Sequence, residues 1–567
     1  MRRLIMSVAS LLVSAVILSS CTGSGRVDTE GMVTTSEDSF SWDDATVYFA
    51  ITDRFKNGDE SNDSSYGRQK VDEMGRDIAT FHGGDIKGVT EKLEEGYFRD
   101  LGVDAIWITA PYEQIHGYVK GTSDEFQHYP FHGYYALDWT MMDKNMGTVE
   151  EFRKFVDTAH SQGIRIVMDV VMNHVGYAAD KDMEEFGFGD GAWDRWWGSS
   201  WVRSDKEGYE KGGSDDITMT LAGLPDIRTE ETGDVGLPPI LLTKWAKEAE
   251  GFDDWIVPEA KNLRSDLHLS PAGYITEWLT AWIREFGIDG FRVDTAKHVE
   301  LERWTGLSKK ADEALEDWRD KNAGKSGSDW DESFWMNGEV WGHGVVKDRY
   351  FEGGFDSLIN FTFQGEKKNG PAYDMDTMES VFGNYADALN EDTSFNVLSY
   401  ISQHDTFLYD RKRLINGSTY LMLLPGAVMV FYGDETARPM GDGGSDYTQG
   451  TRSGMNWDSI DEEVLQHYRK IASFRHRNIA VGAGDHLMLK EEPYTFSRVY
   501  SKDGLDNRIV AVIGAKGKTT IDVSSVFADG DTIRDAYSME AVVVRKGKVT
   551  FTADGKGLIL LEKLVKK

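Results

Sequence analysis

Four short stretches of this chain end in clusters of ionisable side chains: Asp169-Val170-Val171-Met172-Asn173-His174, Gly290-Phe291-Arg292-Val293-Asp294, Gly338-Glu339-Val340-Trp341 and Gln403-His404-Asp405. Charged groups at the ends of buried strands are costly unless they are paired or used. Arg292 stands two residues before Asp294, on the same face of an extended segment, where a guanidinium keeps a carboxylate ionised. Glu339 has no cation at equivalent spacing, which suits a carboxyl group that must hold its proton. Two carboxyl groups in opposite protonation states are what cleavage of a glycosidic bond requires: one protonates the leaving oxygen, and the other attacks the sugar or activates water. A purely structural reading, buried ion pairs supporting a core, accounts for part of Asp169 and Arg292.

These groups need a scaffold that brings strand ends together. Candidate strands are Thr46–Ile51, Asp104–Thr109, Ile164–Val170, Gly290–Val293, Phe334–Val340, Phe355–Ile359, Phe395–Ile401 and Ala427–Tyr432. Helical spacing appears between them: Phe152, Phe155, Val156 and Ala159; Ile275, Leu279, Trp282, Ile283 and Phe286; Val464, Tyr468 and Ile471. Eight strands alternating with helices predict an α/β fold, a (β/α)8 TIM barrel, whose functional residues lie at the C-terminal ends of the strands. The Gly-, Asp- and Trp-rich interval 175–270 is too long for a loop and reads as an inserted subdomain after strand three. After about residue 480, alternating segments and turn pairs such as Asp529-Gly530 predict a C-terminal antiparallel β-sandwich. The expected organisation is 1–20 signal peptide, 21–41 flexible tether, 42–174 and 271–480 barrel, 175–270 inserted domain and 481–567 sandwich.

The N-terminus carries Arg2 and Arg3, an apolar run from Leu4 to Leu18, then Leu18-Ser19-Ser20-Cys21. This reads as a signal peptide with a lipobox, Cys21 being acylated; Thr22 after it, rather than Asp, favours outer-membrane sorting. Cys21 is the chain's one cysteine, so no internal disulfide can form. The net charge of −34 repels phosphate backbones and argues against nucleic acid as a partner. A neutral polymer is compatible with it. The 17 Trp could stack on sugars or fill a core.

Taken in order, the four charged segments resemble the signature regions of the α-amylase family, glycoside hydrolase family 13. Connecting segments such as Ala110-Pro111-Tyr112-Glu113-Gln114-Ile115-His116-Gly117 and Leu224-Pro225-Asp226-Ile227-Arg228 resemble those of bacterial periplasmic α-amylases. The resemblance implies Asp294 as nucleophile, Glu339 as acid/base and Asp405 as the third carboxylate, binding sugar hydroxyls. It implies sugar contacts from Tyr134 (in Phe131-His132-Gly133-Tyr134), His174, Arg292, Lys297, His298 and His404, and from Arg452 toward a more distant sugar. Gln403 departs from the family's usual Asn. The motif 224–228 differs from those of α-1,6-glucosidases and neopullulanases, which favours α-1,4 cleavage.

The resemblance also implies calcium. Asn173, Asp226 and the backbone carbonyl of His298 match the family's site between barrel and inserted domain. Asn57, Asp59, Asn62, Asp63, the Gly83 carbonyl and Asp85 match an N-terminal loop of related enzymes; an Asn- and Asp-rich turn is the alternative. The expectation is a monomeric enzyme cutting starch, maltodextrin or a related α-glucan, held to a membrane by its lipid alone. A glucanotransferase and a non-catalytic glucan-binding lipoprotein remain as alternatives.

Overall fold

The computed structural model describes residues 27, 29–36, 39–120, 126–188, 196–248, 251–502 and 504–566; Cys21 and the stretch read as a signal peptide lie outside them. Eight strands form the barrel: β1 (Thr46–Ala50), β2 (Ala105–Ile108), β3 (Arg165–Val170), β4 (Gly290–Val293), β5 (Trp335–Gly338), β6 (Ser357–Asn360), β7 (Asn396–Tyr400) and β8 (Ala427–Phe431). They pair in parallel in chain order, and β8 closes onto β1 through Val428–Thr46 to Phe431–Phe49. Every residue of these strands is buried, as expected where a parallel sheet is covered on both faces. All eight expected strands are present.

The surrounding helices follow from local signals. Helix α1 (Val149–Ser161) begins with a capping box between Thr148 and Glu151 and buries Phe152, Phe155, Val156 and Ala159. Helix α2 (Pro271–Phe286) starts on the Ser270 cap with proline at its first turn and stops at Gly287, φ 75°. Helix α3 (Leu301–Lys321) follows β4, and α4 (Glu462–His476) buries Val464, Tyr468 and Ile471.

The interval after β3 returns to the barrel at several points. Val202–Arg203 pairs with Asp226–Ile227, and Asp226 bridges to His174. Trp201 stacks on Trp278 of α2 with centroids 6.1 Å apart. The buried Lys244 ammonium contacts Glu113 and Asp138 at 2.5 and 3.0 Å.

The C-terminal region holds β9 (Asp485–Lys490), β10 (Tyr494–Lys502), β11 (Leu505–Ile513), β12 (Lys518–Asp522), β13 (Thr532–Asp535), β14 (Glu540–Val543), β15 (Lys548–Thr552) and β16 (Leu558–Lys566). The main antiparallel sheet runs β9-β10-β11-β16-β13-β14, and β12 pairs with β15. Val510, Val512, Ile521, Val549, Phe551, Ile559 and Leu561 form one apolar cluster between them.

The stretch read as a flexible tether is docked over its described second half. Met32–Val33 adds an antiparallel strand to β16, and Thr34 and Ser36 donate to the Arg477 carbonyl at 2.8 and 2.7 Å. Phe40 lies under the Arg165 guanidinium at 3.6 Å, and Trp42 stacks on Trp335 at 4.4 Å. Hydroxyl-to-backbone bonds and a two-residue strand carry the docking, and neither has a periodic sequence signature.

Candidate active site

Parallel pairing aligns the ends of β3, β4 and β5: Val293 is in register with Val170 and with Gly338. The next residues on β4 and β5 are Asp294 and Glu339, held by Asp294 N–H to Val170 and Glu339 N–H to Val293, both 2.9 Å. Beneath them lies the fully buried Arg292. Its Nη1 is 2.9 Å from Asp294 and 3.0 Å from Asp169, and its Nη2 is 3.0 Å from Glu339. The expectation that Glu339 lacks a cation is therefore corrected. The cation arrives from the neighbouring strand, which spacing along a single strand cannot reveal.

Burial nevertheless pushes the Glu339 carboxyl up to about 7; Arg292 opposes the shift, and the Asp294 and Asp405 carboxylates reinforce it. Burial likewise raises Asp169 to about 7 against the pull of Arg292. Asp405 goes the other way. Burial would raise it, but His404, 2.8 Å away, and Arg452, 2.5 Å away, outweigh that and hold it well below the usual carboxylate range. Gln403 accepts from the Asp405 N–H at 2.8 Å, which settles the local bonding of that departure. Thr295, directly after Asp294, adopts φ 49°, a costly conformation for a β-branched residue; its N–H donates to Glu339 Oε2 at 3.1 Å.

Asp294, Glu339, Asp405, Tyr134, His174 and Arg452 line one cleft of about 880 Å³, joined by Tyr135, Tyr177, Lys206, Leu221 and Trp341. The Tyr134 hydroxyl bonds Asp169 at 2.9 Å and His404 at 3.0 Å, and its ring plane lies near parallel to those of His132 and His404. His174 Nε2 is 3.1 Å from the Tyr134 carbonyl. Burial lowers this imidazole to about 4, so it is neutral and donates through Nε2. Four expected sugar contacts do not line the cleft: Arg292 and His404 are fully buried, Lys297 pairs with Asp216 at 3.1 Å, and His298 Nδ1 lies 2.7 Å from the Asp216 carbonyl. Arg452, expected near a distant sugar, sits directly on Asp405. Tyr177, Lys206 and Leu221 escaped the sequence reading because they lie in the irregular interval, outside any motif.

The first expected calcium site offers oxygens without partners. Asn173 Oδ1, Asp226 Oδ1 and both carboxylate oxygens of Glu300 are buried and receive no hydrogen bond. Burial pushes Asp226 up to about 7 against the Arg203 guanidinium, with Glu300 adding a repulsive charge. Arg203 takes only the other Asp226 oxygen, at 3.0 Å, and hard oxygens left without donors fit a calcium ion. Glu300, six residues beyond Asp294, was missed; a lone Glu at a helix start reads as a cap, but it caps nothing here.

At the second site, Asn57 Oδ1 and Asn62 Oδ1 are also buried without partners. Gly83 is packed so closely that a Cβ there would come within 2.2 Å of Asp63 and 2.6 Å of Asn57. Asp59 departs from the expected set, since its carboxylate accepts from Ser61 in an exposed turn. Asp85 spends its oxygens on the N–H groups of Gly58, Asp59 and Gly88 and on Asn62, and Asp63 pairs with Lys70 at 2.5 Å. The fit to a cation is weaker there, because protein donors already engage all three expected carboxylates, Asp59, Asp63 and Asp85.

The family model for the α-amylase catalytic domain matches residues 49–211 and 270–440, skipping part of the irregular interval. The chain is 43% identical over 527 residues to the periplasmic α-amylase of Escherichia coli (strain K12), covering 85% of this chain and 74% of that one. It is 25% identical to the cyclomaltodextrin glucanotransferase of Niallia circulans, over 82% of this chain and 59% of that one. Among solved structures, an Anoxybacillus α-amylase superposes with TM-score 0.61 at 22% identity, covering 93% and 99% of the two chains; this likeness concerns the fold. The chain belongs to the α-amylase family of glycoside hydrolases.

Proposed function

We propose that this enzyme is a retaining, endo-acting α-1,4-glucan hydrolase acting on starch or maltodextrins. The observation that carries the reading is Arg292, paired at once with Asp294 and Glu339. One cation brings two carboxyl groups together at adjacent strand ends while burial keeps Glu339 able to hold a proton. Asp294 attacks the anomeric carbon and Glu339 gives its proton to the departing glycosidic oxygen. Glu339, now a base, takes a proton from water, which displaces Asp294. Asp405, kept ionised by His404 and Arg452, accepts hydrogen bonds from hydroxyls of the distorted sugar. Tyr134 supplies a ring beside the cleavage point. The cleft lining reaches beyond the three carboxylates to His128, Asp446, Lys206 and Leu221, which leaves room for several sugar units of a chain.

Calcium at Asn173, Asp226 and Glu300 would supply structural positive charge where the irregular interval meets the barrel. We further propose export and anchoring through acylated Cys21 in the outer membrane; the E. coli relative is named periplasmic, and no helix among the described residues is long and apolar enough to span a bilayer. Chromatography of products from amylose over time, with reducing ends counted, tests the activity. Early mixed maltodextrins with one new reducing end per cut support it. Cyclic or elongated products without new reducing ends would make the enzyme a glucanotransferase instead.

A further inference from the structure

The N-terminal segment does not leave the molecule near its active site. From Trp42 backward, it runs across the face of the barrel opposite the catalytic carboxylates. Trp42 stacks on Trp335, the first residue of β5, and Phe40 packs on Arg165, the first residue of β3. It then pairs with β16 through Met32–Val33, and Val27 N–H reaches the carbonyl of Ala541 on β14. Five residues lie between Cys21 and Val27, a span of at most about 20 Å.

The surface around that point differs from the rest of the protein. Residues 481–567 hold 14 Lys and Arg against 12 Asp and Glu, whereas residues 1–480 hold 48 against 84. Met539, two residues from Ala541, is 58% exposed. Arg545, Lys546 and Lys548, on the turn leaving β14, are exposed as well. An apolar side chain protruding at one end of β14 and three exposed cations at the other suit the headgroup layer of an anionic bilayer; the acidic barrel would be repelled by the same layer.

We infer that the C-terminal domain is the membrane-facing side of the enzyme, with the β14 edge around Met539, Arg545, Lys546 and Lys548 resting on anionic phospholipid and the catalytic cleft opening away from the bilayer. The inference rests on the acylation of Cys21 proposed above. It means that the anchor does more than tether: the docked segment fixes which face meets the polymer.

The test uses the full-length lipoprotein in phosphatidylethanolamine–phosphatidylglycerol vesicles. Cys21 is the one cysteine, so once it is acylated a new cysteine is the sole free thiol. A fluorophore is placed in separate variants at Met539→Cys and at Thr232→Cys, an exposed position in the interval on the catalytic side. Headgroup-attached nitroxide lipids should quench the 539 probe severalfold more than the 232 probe. Adding Arg545→Gln, Lys546→Gln and Lys548→Gln should cut that quenching at least twofold while turnover of a soluble maltooligosaccharide stays intact. Equal quenching at both positions, stronger quenching at 232, or none at either with Cys21 acylated would overturn the orientation. A mass spectrum of the N-terminal peptide separates these outcomes from failure of the anchor itself: an unmodified Cys21 overturns both readings.

Discussion

Arg292 Nη2 lies 3.0 Å from Glu339 Oε1, although the two residues stand on different strands. The contact opposes what burial does to Glu339, and burial prevails, leaving the carboxyl near 7. A general acid works only while protonated. kcat/KM, which reports the free enzyme, should therefore fall about tenfold per pH unit above pH 7. Removing the cation by Arg292→Gln removes a pull toward ionisation, so the alkaline limb should move to higher pH while the rate drops. The variant should also lose roughly 3–5 kcal/mol of stability, because Asp169 and Asp294 are left without their partner. A pH–rate profile of both proteins checks this. A limb that stays put or moves downward would show that Glu339 is not the group that titrates.

Asp294→Asn should reduce kcat by well over about a hundredfold, since covalent chemistry contributes at least that much. The fold should survive, because an amide fills the same space and Arg292 keeps Asp169 and Glu339. Circular dichroism and thermal melting alongside initial rates separate the two effects. A kcat within tenfold of the parent would remove Asp294 from the nucleophile role.

How much of this could be read beforehand differs from residue to residue. The barrel strands were legible because each is an apolar run bounded by turn residues, and burial on both faces leaves no other use for such runs. Asp294, Glu339 and Asp405 were legible because charge at the end of such a run needs a reason. What was not legible depends on contacts across the fold. Nothing local to Glu339 announces Arg292. Lys297 and His298 follow Asp294 closely, yet the left-handed turn at Thr295 carries them toward Asp216. Arg452 is 47 residues from Asp405 in the chain, and its role as partner of that carboxylate appears only when the loop after β8 folds over. The docking of residues 32–36 rests on hydroxyls in a Ser/Thr-rich stretch whose composition alone reads as flexible.

Glu300 makes the calcium reading separable from general stability. With Asn173 and Asp226 it holds buried oxygens that lack donors, so its charge is unfavourable without a cation and favourable with one. Chelation should lower the melting temperature of the parent enzyme, and calcium at about a hundredfold over its Kd should restore roughly 2.7 kcal/mol. Glu300→Gln should weaken calcium binding at least tenfold by isothermal titration while leaving the melting temperature of the chelated protein unchanged or higher. If the variant binds calcium like the parent, or if the chelated variant melts well below the chelated parent, Glu300 is a structural carboxylate and not a ligand.

The last prediction is stereochemical. Asp294 and Glu339 follow paired positions of adjacent strands, which lie about 4.8 Å apart, and one guanidinium grips an oxygen of each. A separation near 5–5.5 Å between carboxyl groups leaves no room for water between carboxylate and sugar, so the carboxylate itself must attack. The second displacement by water then inverts the centre again. The first-formed product should keep the α-anomeric configuration of the substrate. Proton NMR of the new reducing ends in the first minutes, before mutarotation, reads this directly. An initial β-anomer would require a water-filled gap between the two groups, which the shared grip of Arg292 argues against, and would turn Asp294 from nucleophile into general base even if starch were cleaved at full rate.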